Sequence, residues 1–421
     1  MKIFTADHLI TMEGEVLSPG AMLVQEGLIQ SLGAPEVLQK ENPEASVESF
    51  SGHCLLPGLV NAHSDLSLSN YPSSLNDSFK MNDGRMLLMP WLVNLSRFKT
   101  GMAIPEQQEA VEKGLNIQKT HGVTTLGDRC RYPAVINRYE NSGLRVVCLV
   151  DIENIQRVRA QEEFEQALAL VDEILHGKHP RVTAGYAPFS AYTLSKNMLK
   201  ILADHAVNQG VPLHLIAALS FSEMEFFYDS MGEISAILFK EAGWSEKVPP
   251  PHRMTPVQYL QEIGLLRAKP GLVGCLHLGP TDAAILENTE SFRIFSPRAF
   301  QTLQVGDIPW IKIFQEDLPW ALATLGVAWG GSMNLWDEMR SVFFSLESED
   351  REALAAWILK AATLGGAQAL NLGDRVGSLG PGKLADFMVI PVPEGDGLFA
   401  GILDQTRDGV VASFVAGERV L

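Results

Sequence analysis

The chain has 421 residues, 46% of them apolar and 20% charged, with 36 Gly and 23 Pro, which suits a large α/β barrel with an accessory domain. Its 33 Lys and Arg against 50 Asp and Glu give a net charge of −17, which argues against a nucleic-acid partner, since that needs a basic face. The four cysteines (Cys54, Cys130, Cys148, Cys275) lack CxxC spacing, the N-terminus lacks a signal-peptide apolar core, and no run reaches the ~18 apolar residues of a membrane span; the expectation is a cytoplasmic protein without disulfides and with no membrane partner.

From the N-terminus, residues 1 to about 55 read as short strands with turns, and the apolar stretches 21–25 and 28–32 flank Glu26-Gly27, a hairpin signal. The stretch Leu55-Leu56-Pro57-Gly58-Leu59-Val60-Asn61-Ala62-His63-Ser64-Asp65 reads as a strand. Residues two apart on a strand share a face, so His63 and Asp65 point together into whatever it lines. Downstream, strand stretches at 123–126, 145–150, 182–186, 211–216, 272–278 and 322–327 alternate with helical stretches at 105–120, 162–175, 195–208 and 351–370. Such alternation predicts parallel strands with helical crossovers. The longest loop-like insertion spans 244–255 and contains Pro249-Pro250-Pro251. At the far end, 385–390 reads as a strand, and 410–414 pairs with 419–421 across Ala416-Gly417. The expected fold is a (β/α)8 TIM-type barrel over residues 56–374, with a small β-sandwich domain built from 1–55 and 375–421.

Several motifs carry a family resemblance. Pro57-Gly58 followed by His63-Ser64-Asp65, Gly122-Val123-Thr124-Thr125-Leu126-Gly127-Asp128, and Gly377-Ser378-Leu379-Gly380-Pro381-Gly382-Lys383-Leu384-Ala385-Asp386-Phe387 resemble the amidohydrolase superfamily. The nearest branch is the aminohydrolase/chlorohydrolase group, which includes deaminases of guanine, methylthioadenosine, S-adenosylhomocysteine and aminofutalosine. The resemblance implies one divalent metal, held by two first-strand histidines, a fifth-strand histidine and an eighth-strand aspartate. It also implies a glutamate three residues past the fifth-strand histidine, and a sixth-strand histidine, to move protons. Such a metal lowers the pKa of a bound water toward 7, while side chains pass protons to the leaving amine. A homodimer is carried over as a family expectation.

Set on that pattern, the chain keeps His63 and His214 but carries Asp65 for the second first-strand histidine, Ala217 for the glutamate, Gly274 for the sixth-strand histidine and Ala328 for the aspartate. Phe189 stands where a substrate-binding histidine is expected, and His277 matches a neighbouring position that varies in the family. His63, Asp65 and His214 could still form a two-histidine, one-carboxylate site suited to Zn or Fe. The alternative is that no metal binds, with Asp65 bonded to backbone and His214 a core histidine. Asp128, at the end of the second strand, lies on the functional face of such a barrel and is, with His277, a candidate proton carrier; Glu223 and Glu225 are further ones. Arg129 and Arg131 either meet an anionic ligand or pair with surface carboxylates. Gly377 to Lys383 mimics a phosphate loop but lacks its Ser/Thr and its helix, and reads as a turn. Phe189, Ala217, Gly274, His277, Ala328 and Trp329 are expected to line a pocket greasier than the family norm. The functional expectation is an amidohydrolase-family protein that is non-catalytic or reprogrammed to bind a small molecule. The alternative is an active metal-dependent C–N hydrolase using His63, Asp65 and His214, and a third class, non-hydrolytic metal chemistry, rests only on the His-x-Asp…His pattern.

Overall fold

The computed structural model describes residues 1–153, 160–177, 179–395, 397–405 and 409–421. Both ends of the chain supply one sheet: β1 (Lys2–Leu9), β2 (Gly20–Gln25), β3 (Leu28–Gly33), β4 (Ser46–Pro57), β13 (Phe387–Pro391), β14 (Ala412–Val415) and β15 (Glu418–Arg419), in the order β15-β14-β13-β4-β1-β2-β3. The hairpin at Glu26-Gly27 has positive φ at both residues, as does the one at Ala416-Gly417, the conformation that lets two-residue turns follow strand twist. The two hairpin tips meet, with Ala385 N–H donating to Gly27 O and Gly417 N–H to Ala385 O, each at 2.9 Å. Where a sandwich is expected, the strands of both chain ends hydrogen-bond into one seven-stranded sheet. Its core centres on Phe4, Phe387 and Phe414, whose ring centroids lie 4.5–5.1 Å apart.

The barrel strands are β5 (Leu59–Ser64), β6 (Val123–Cys130), β7 (Arg145–Ile152), β8 (Val182–Pro188), β9 (His214–Ala217), β10 (Gly271–Gly274), β11 (Phe292–Phe295) and β12 (Trp320–Leu322). They form two parallel four-stranded sheets, β5-β6-β7-β8 and β9-β10-β11-β12. Tyr186 N–H to Pro212 O and Ile216 N–H to Phe189 O, both 2.9 Å, join β8 to β9. Across the other seam Leu325 N–H reaches His63 O at 3.1 Å, and the Asn61 side chain bonds both the backbone and the hydroxyl of Thr324. Every residue of β6 and β7 is buried, as parallel strands covered on both faces require.

Two strands stop earlier than their apolar runs suggest. β10 ends at Gly274 and β12 at Leu322, because Gly274 and Cys275, then Leu325 and Gly326, take positive φ and turn the chain out of the ladder. The helical stretch expected over 351–370 is a helix (Arg351–Lys360) that widens by one residue per turn over Ala361–Gly365 and resumes over Gly366–Ala369. It passes so close to the barrel that a Cβ on Gly366 would lie 2.6 Å from Val60 O. All four cysteines are buried free thiols. No helix among the described residues is long and apolar enough to cross a membrane.

Candidate active site at the barrel mouth

In a parallel barrel the functional face lies at the C-terminal ends of the strands. Here a helix, Leu88–Gly101, is laid against that face and drives Lys99 into it. Lys99 is only 7% exposed; its Nζ lies 2.7 Å from Asp65 Oδ2, 2.8 Å from Asp151 Oδ2 and 3.6 Å from Glu153 Oε1. Asp65 follows β5, while Asp151 sits on β7 with Glu153 two residues on. From β6, Arg129 contacts Asp151 and reaches Glu153 Oε1 at 3.4 Å. Arg131 lies 3.7 Å from Glu153 and 3.1 Å from Glu163, and Ser96 Oγ donates to Glu153 at 2.9 Å. The other Asp65 oxygen accepts from Ser67 Oγ. Positive and negative groups alternate, so each buried charge has an opposite neighbour.

The electrostatics follow. Burial alone would raise the Asp151 carboxyl, but Arg129 and Lys99 outweigh it and hold the group well below the usual carboxylate range. Burial also opposes the Lys99 ammonium, yet Asp151 and Asp65 raise it above an ordinary lysine. Asp151 and Lys99 are therefore both ionised at neutral pH. Leu92, Leu95, Phe189, Leu238 and Trp329 fill the remaining space, leaving a cavity of about 10 Å3, room for a single water at most. Phe189 lies beneath the Arg129 guanidinium, 5.5 Å from its ring centroid, a cation–π arrangement.

The residues singled out in the sequence separate into groups. His63 and His214 do meet, their Nδ1 atoms 3.3 Å apart. His214 Nε2 lies 2.7 Å from Ala369 O; a carbonyl only accepts, so that nitrogen carries the proton and His63 Nδ1–H donates to His214 Nδ1. Burial pushes His214 down to about 4 despite the Ala369 bond, and burial, His214 and Arg129 lower His63 well below its ordinary value. Both imidazoles are thus neutral at pH 7. His214 opens β9 opposite Gly271, where a Cβ would strike its ring at 2.6 Å. It belongs to the entry end of the strand rather than the mouth. Asp65 is turned to Lys99 instead of joining the histidines, and no three His, Cys, Asp or Glu among the described residues are placed to share an ion.

Asp128 is buried and saturated, accepting from Ser64 Oγ, Leu66 N–H and Tyr139 Oη at 2.7–2.9 Å. Burial, with Asp65 nearby, pushes it up to about 7. It ties β6 to the turn after β5. His277 lies past the turn that ends β10, where its Nε2–H donates to Val305 O at 2.6 Å, so it holds a loop and does not face the mouth cavity. Of the expected lining, Phe189 and Trp329 border that cavity. Ala217 and Gly274 pack against each other, a Cβ on Gly274 falling 2.9 Å from Ala217 O, and the Ala328 carbonyl accepts from Asn76 Nδ2. Glu223 accepts from Leu219 N–H at 3.0 Å and Ser190 Oγ at 3.5 Å. Arg129 and Arg131 do meet carboxylates, but Asp151 and Glu153 are buried at the mouth rather than at the surface as expected. Lys99, Asp151 and Glu153 escaped sequence reasoning. Asp151-x-Glu153 at a strand end repeats the spacing of His63-x-Asp65 and was the available signal.

A model of the amidohydrolase family matches residues 246–420 of the chain. The aminodeoxyfutalosine deaminase of Deinococcus radiodurans is 26% identical over 353 residues, covering 80% of this chain and 79% of the relative. Among solved structures, Helicobacter pylori aminofutalosine deaminase in complex with methylthio-coformycin superposes with a TM-score of 0.83 at 20% identity, covering 100% of both chains. An adenosine deaminase from Xanthomonas campestris with bound zinc superposes with a TM-score of 0.81 at 20% identity, covering 99% of this chain and 92% of the other.

Proposed function

We propose that this chain, which belongs to the amidohydrolase family through its residues 246–420, uses the family's barrel as a small-molecule-binding scaffold and does not run metal-dependent C–N hydrolysis. One observation carries the reading: the Lys99 ammonium, 2.7 Å from Asp65 and surrounded by Asp151 and Glu153. A divalent ion seated ~4 Å from Nζ would meet repulsion on the order of 8 kcal/mol at an effective dielectric of 20. The donors that would offset this do not suit it. Both Asp65 oxygens are engaged, His214 sits low in the barrel, and Gly274 and Ala328 offer no ligand. The proton-handling positions are equally bare, since Ala217 and Gly274 carry no titratable group and Asp128 is locked in three hydrogen bonds. Lys99 supplies the positive charge that balances the acidic groups at the mouth, and the cluster serves as structure.

A second reading has one observation in its favour. His63 Nδ1 and His214 Nδ1 are 3.3 Å apart, about the spacing of two nitrogen ligands on one tetrahedral zinc at ~2.0–2.1 Å from each. Under that reading the chain is a metal-dependent C–N hydrolase, and Asp65 would have to leave Lys99. Metal analysis of the purified protein, run beside a deamination assay with 5′-deoxyadenosine and 5′-methylthioadenosine, separates the two. The expected result is substoichiometric zinc and iron, with no ammonia release on adding either metal. Stoichiometric metal together with metal-dependent deamination would reverse the assignment.

A further inference from the structure

We propose that the protein binds a flat, uncharged, largely apolar ring compound in a second cleft, outside the barrel mouth. The cleft has a volume of about 450 Å3, within the ~300–1,000 Å3 typical of small-molecule sites. It lies between the segment that follows β8, the helix Phe221–Asp229, the turns around 239–249 and the helix Pro256–Glu262. This deepens the reading of a non-hydrolytic binder and rests on it in one respect: the cavity at the barrel mouth, at about 10 Å3, is too small for a ring compound. Thr193 borders both spaces, its hydroxyl donating to Ser190 O at 2.8 Å, so a wall of ordered backbone divides them.

The chemistry of the ligand follows from the lining. Six rings form a connected wall: Phe226–Phe239 at 5.2 Å, Phe239–Trp244 at 5.5 Å, Phe227–Tyr259 at 5.0 Å and His252–Tyr259 at 4.6 Å between centroids, with Phe226 and Phe227 adjoining at 5.9 Å. Aromatic faces and edges of this kind favour another ring system. Among the described residues Lys196 is the one formally charged side chain on the lining; it pairs with Glu262 at 3.3 Å and is about half exposed, so it stands at the rim. No described side chain inside would offset the desolvation of a carboxylate, phosphate or ammonium. Polar groups remain open among the described residues of the lining. The Tyr259 hydroxyl and the His252 imidazole make no side-chain hydrogen bond among the described residues, although Tyr259 is only 6% exposed. Burial lowers His252 from its ordinary value, so it offers a neutral donor or acceptor. A ring compound with one hydrogen-bonding edge satisfies both demands. The insertion visible in the sequence builds one side of the cleft: Trp244 and Pro249 line it, and the proline run restricts the backbone there, which reduces the ordering cost of binding.

The test uses two probes that share one ring system. The full chain, stripped with EDTA, is titrated with N-phenyl-1-naphthylamine, which is uncharged, and with 8-anilinonaphthalene-1-sulfonate, which adds a sulfonate. The expected result is one saturable site per chain for the uncharged probe and binding of the sulfonate weaker by ~10-fold or more. Met198→Trp, which fills the cleft from the helix Lys196–Gln209, should weaken the uncharged probe by at least ~10-fold. His252→Ala, which removes one ring from the wall and leaves the core untouched, should weaken it by ~5-fold, and serves if the tryptophan variant does not fold. Equal affinity for the two probes, unsaturable binding, or binding unchanged in the folded variants would overturn the cleft. Metal is absent throughout, so these outcomes bear on the cleft alone, whereas metal-dependent deamination would sink only the functional reading above.

Discussion

Replacing Lys99 by methionine would strip a positive charge that three buried carboxylates share. Asp65 would then be left with Ser67 as its polar partner, and Asp151 and Glu153 with the arginines. Breaking a buried ion pair from one side costs about 3–5 kcal/mol. Asp65→Asn should cost less, about 1–3 kcal/mol, because Lys99 keeps Asp151 and Glu153. The double variant should fall short of the sum by about 0.5–3 kcal/mol, the signature of direct coupling. Urea denaturation midpoints measure all three, and a Lys99→Met variant within ~1 kcal/mol of the parent would show that the cluster is not holding the mouth together. The sequence makes half of this arrangement legible. The two-residue spacing of His63 and Asp65 does place them on one face. What their chain positions do not reveal is that a lysine 34 residues after Asp65 reaches it, since that contact depends on how one helix is laid across the barrel.

Whole elements were easier to read than their ends. β7 shows an unbroken apolar run over Val146–Val150 because both its faces are covered, and the Glu26-Gly27 and Ala416-Gly417 turns announce their hairpins. β10 and β12 ran too long in the sequence because their stops fall partly on Cys275 and Leu325, whose positive φ has no compositional mark. The segment from Arg351 to Ala369 shows the same limit: its helical period is clear, but its packing distance is not. That distance makes a prediction. In Gly366→Ala the new Cβ would sit 2.6 Å from the Val60 carbonyl oxygen, backbone that cannot yield without moving β5. The expected loss is about 1–3 kcal/mol, read as a lower urea midpoint with unchanged slope. Gly380→Ala, which meets nothing within 4 Å, is the control and should shift stability by less than ~0.5 kcal/mol. Equal effects in the two would mean that the helix does not press on the barrel.

At the scale of the molecule, protons link these local features to stability. Burial pushes Asp128 and Glu223 up to about 7 and Glu338 up to about 8. Between about pH 4 and 7 the folded chain therefore keeps three protons that the unfolded chain has released. Burial also lowers His214 to about 4 and His63 well below its ordinary value, so up to about pH 6.5 the unfolded chain holds as many as two protons that the folded one lacks. Stability falls with rising pH where the folded state binds more protons and rises where the unfolded state does. Three against two leaves a shallow decline of about 1.4 kcal/mol per pH unit where both histidines are fully protonated in the unfolded chain. Above pH 6.5 both histidines are neutral in either state and cease to compensate, so the decline steepens until the carboxyls ionise near pH 7 to 8. Glu338 sets the last part of that fall. One of its oxygens accepts from Arg298 N–H at 3.0 Å, while the other is buried without a partner among the described residues. Glu338→Gln abolishes its titration and should remove about 1 kcal/mol of the stability lost between pH 7 and 8, leaving the profile below pH 6 nearly parallel to the parent's. Unfolding free energies from urea titrations at pH 5, 6, 7 and 8 supply the comparison. A parent protein that grows more stable from pH 6.5 to 8 would mean that these carboxyls are ionised and hydrated in the fold, against the burial seen here.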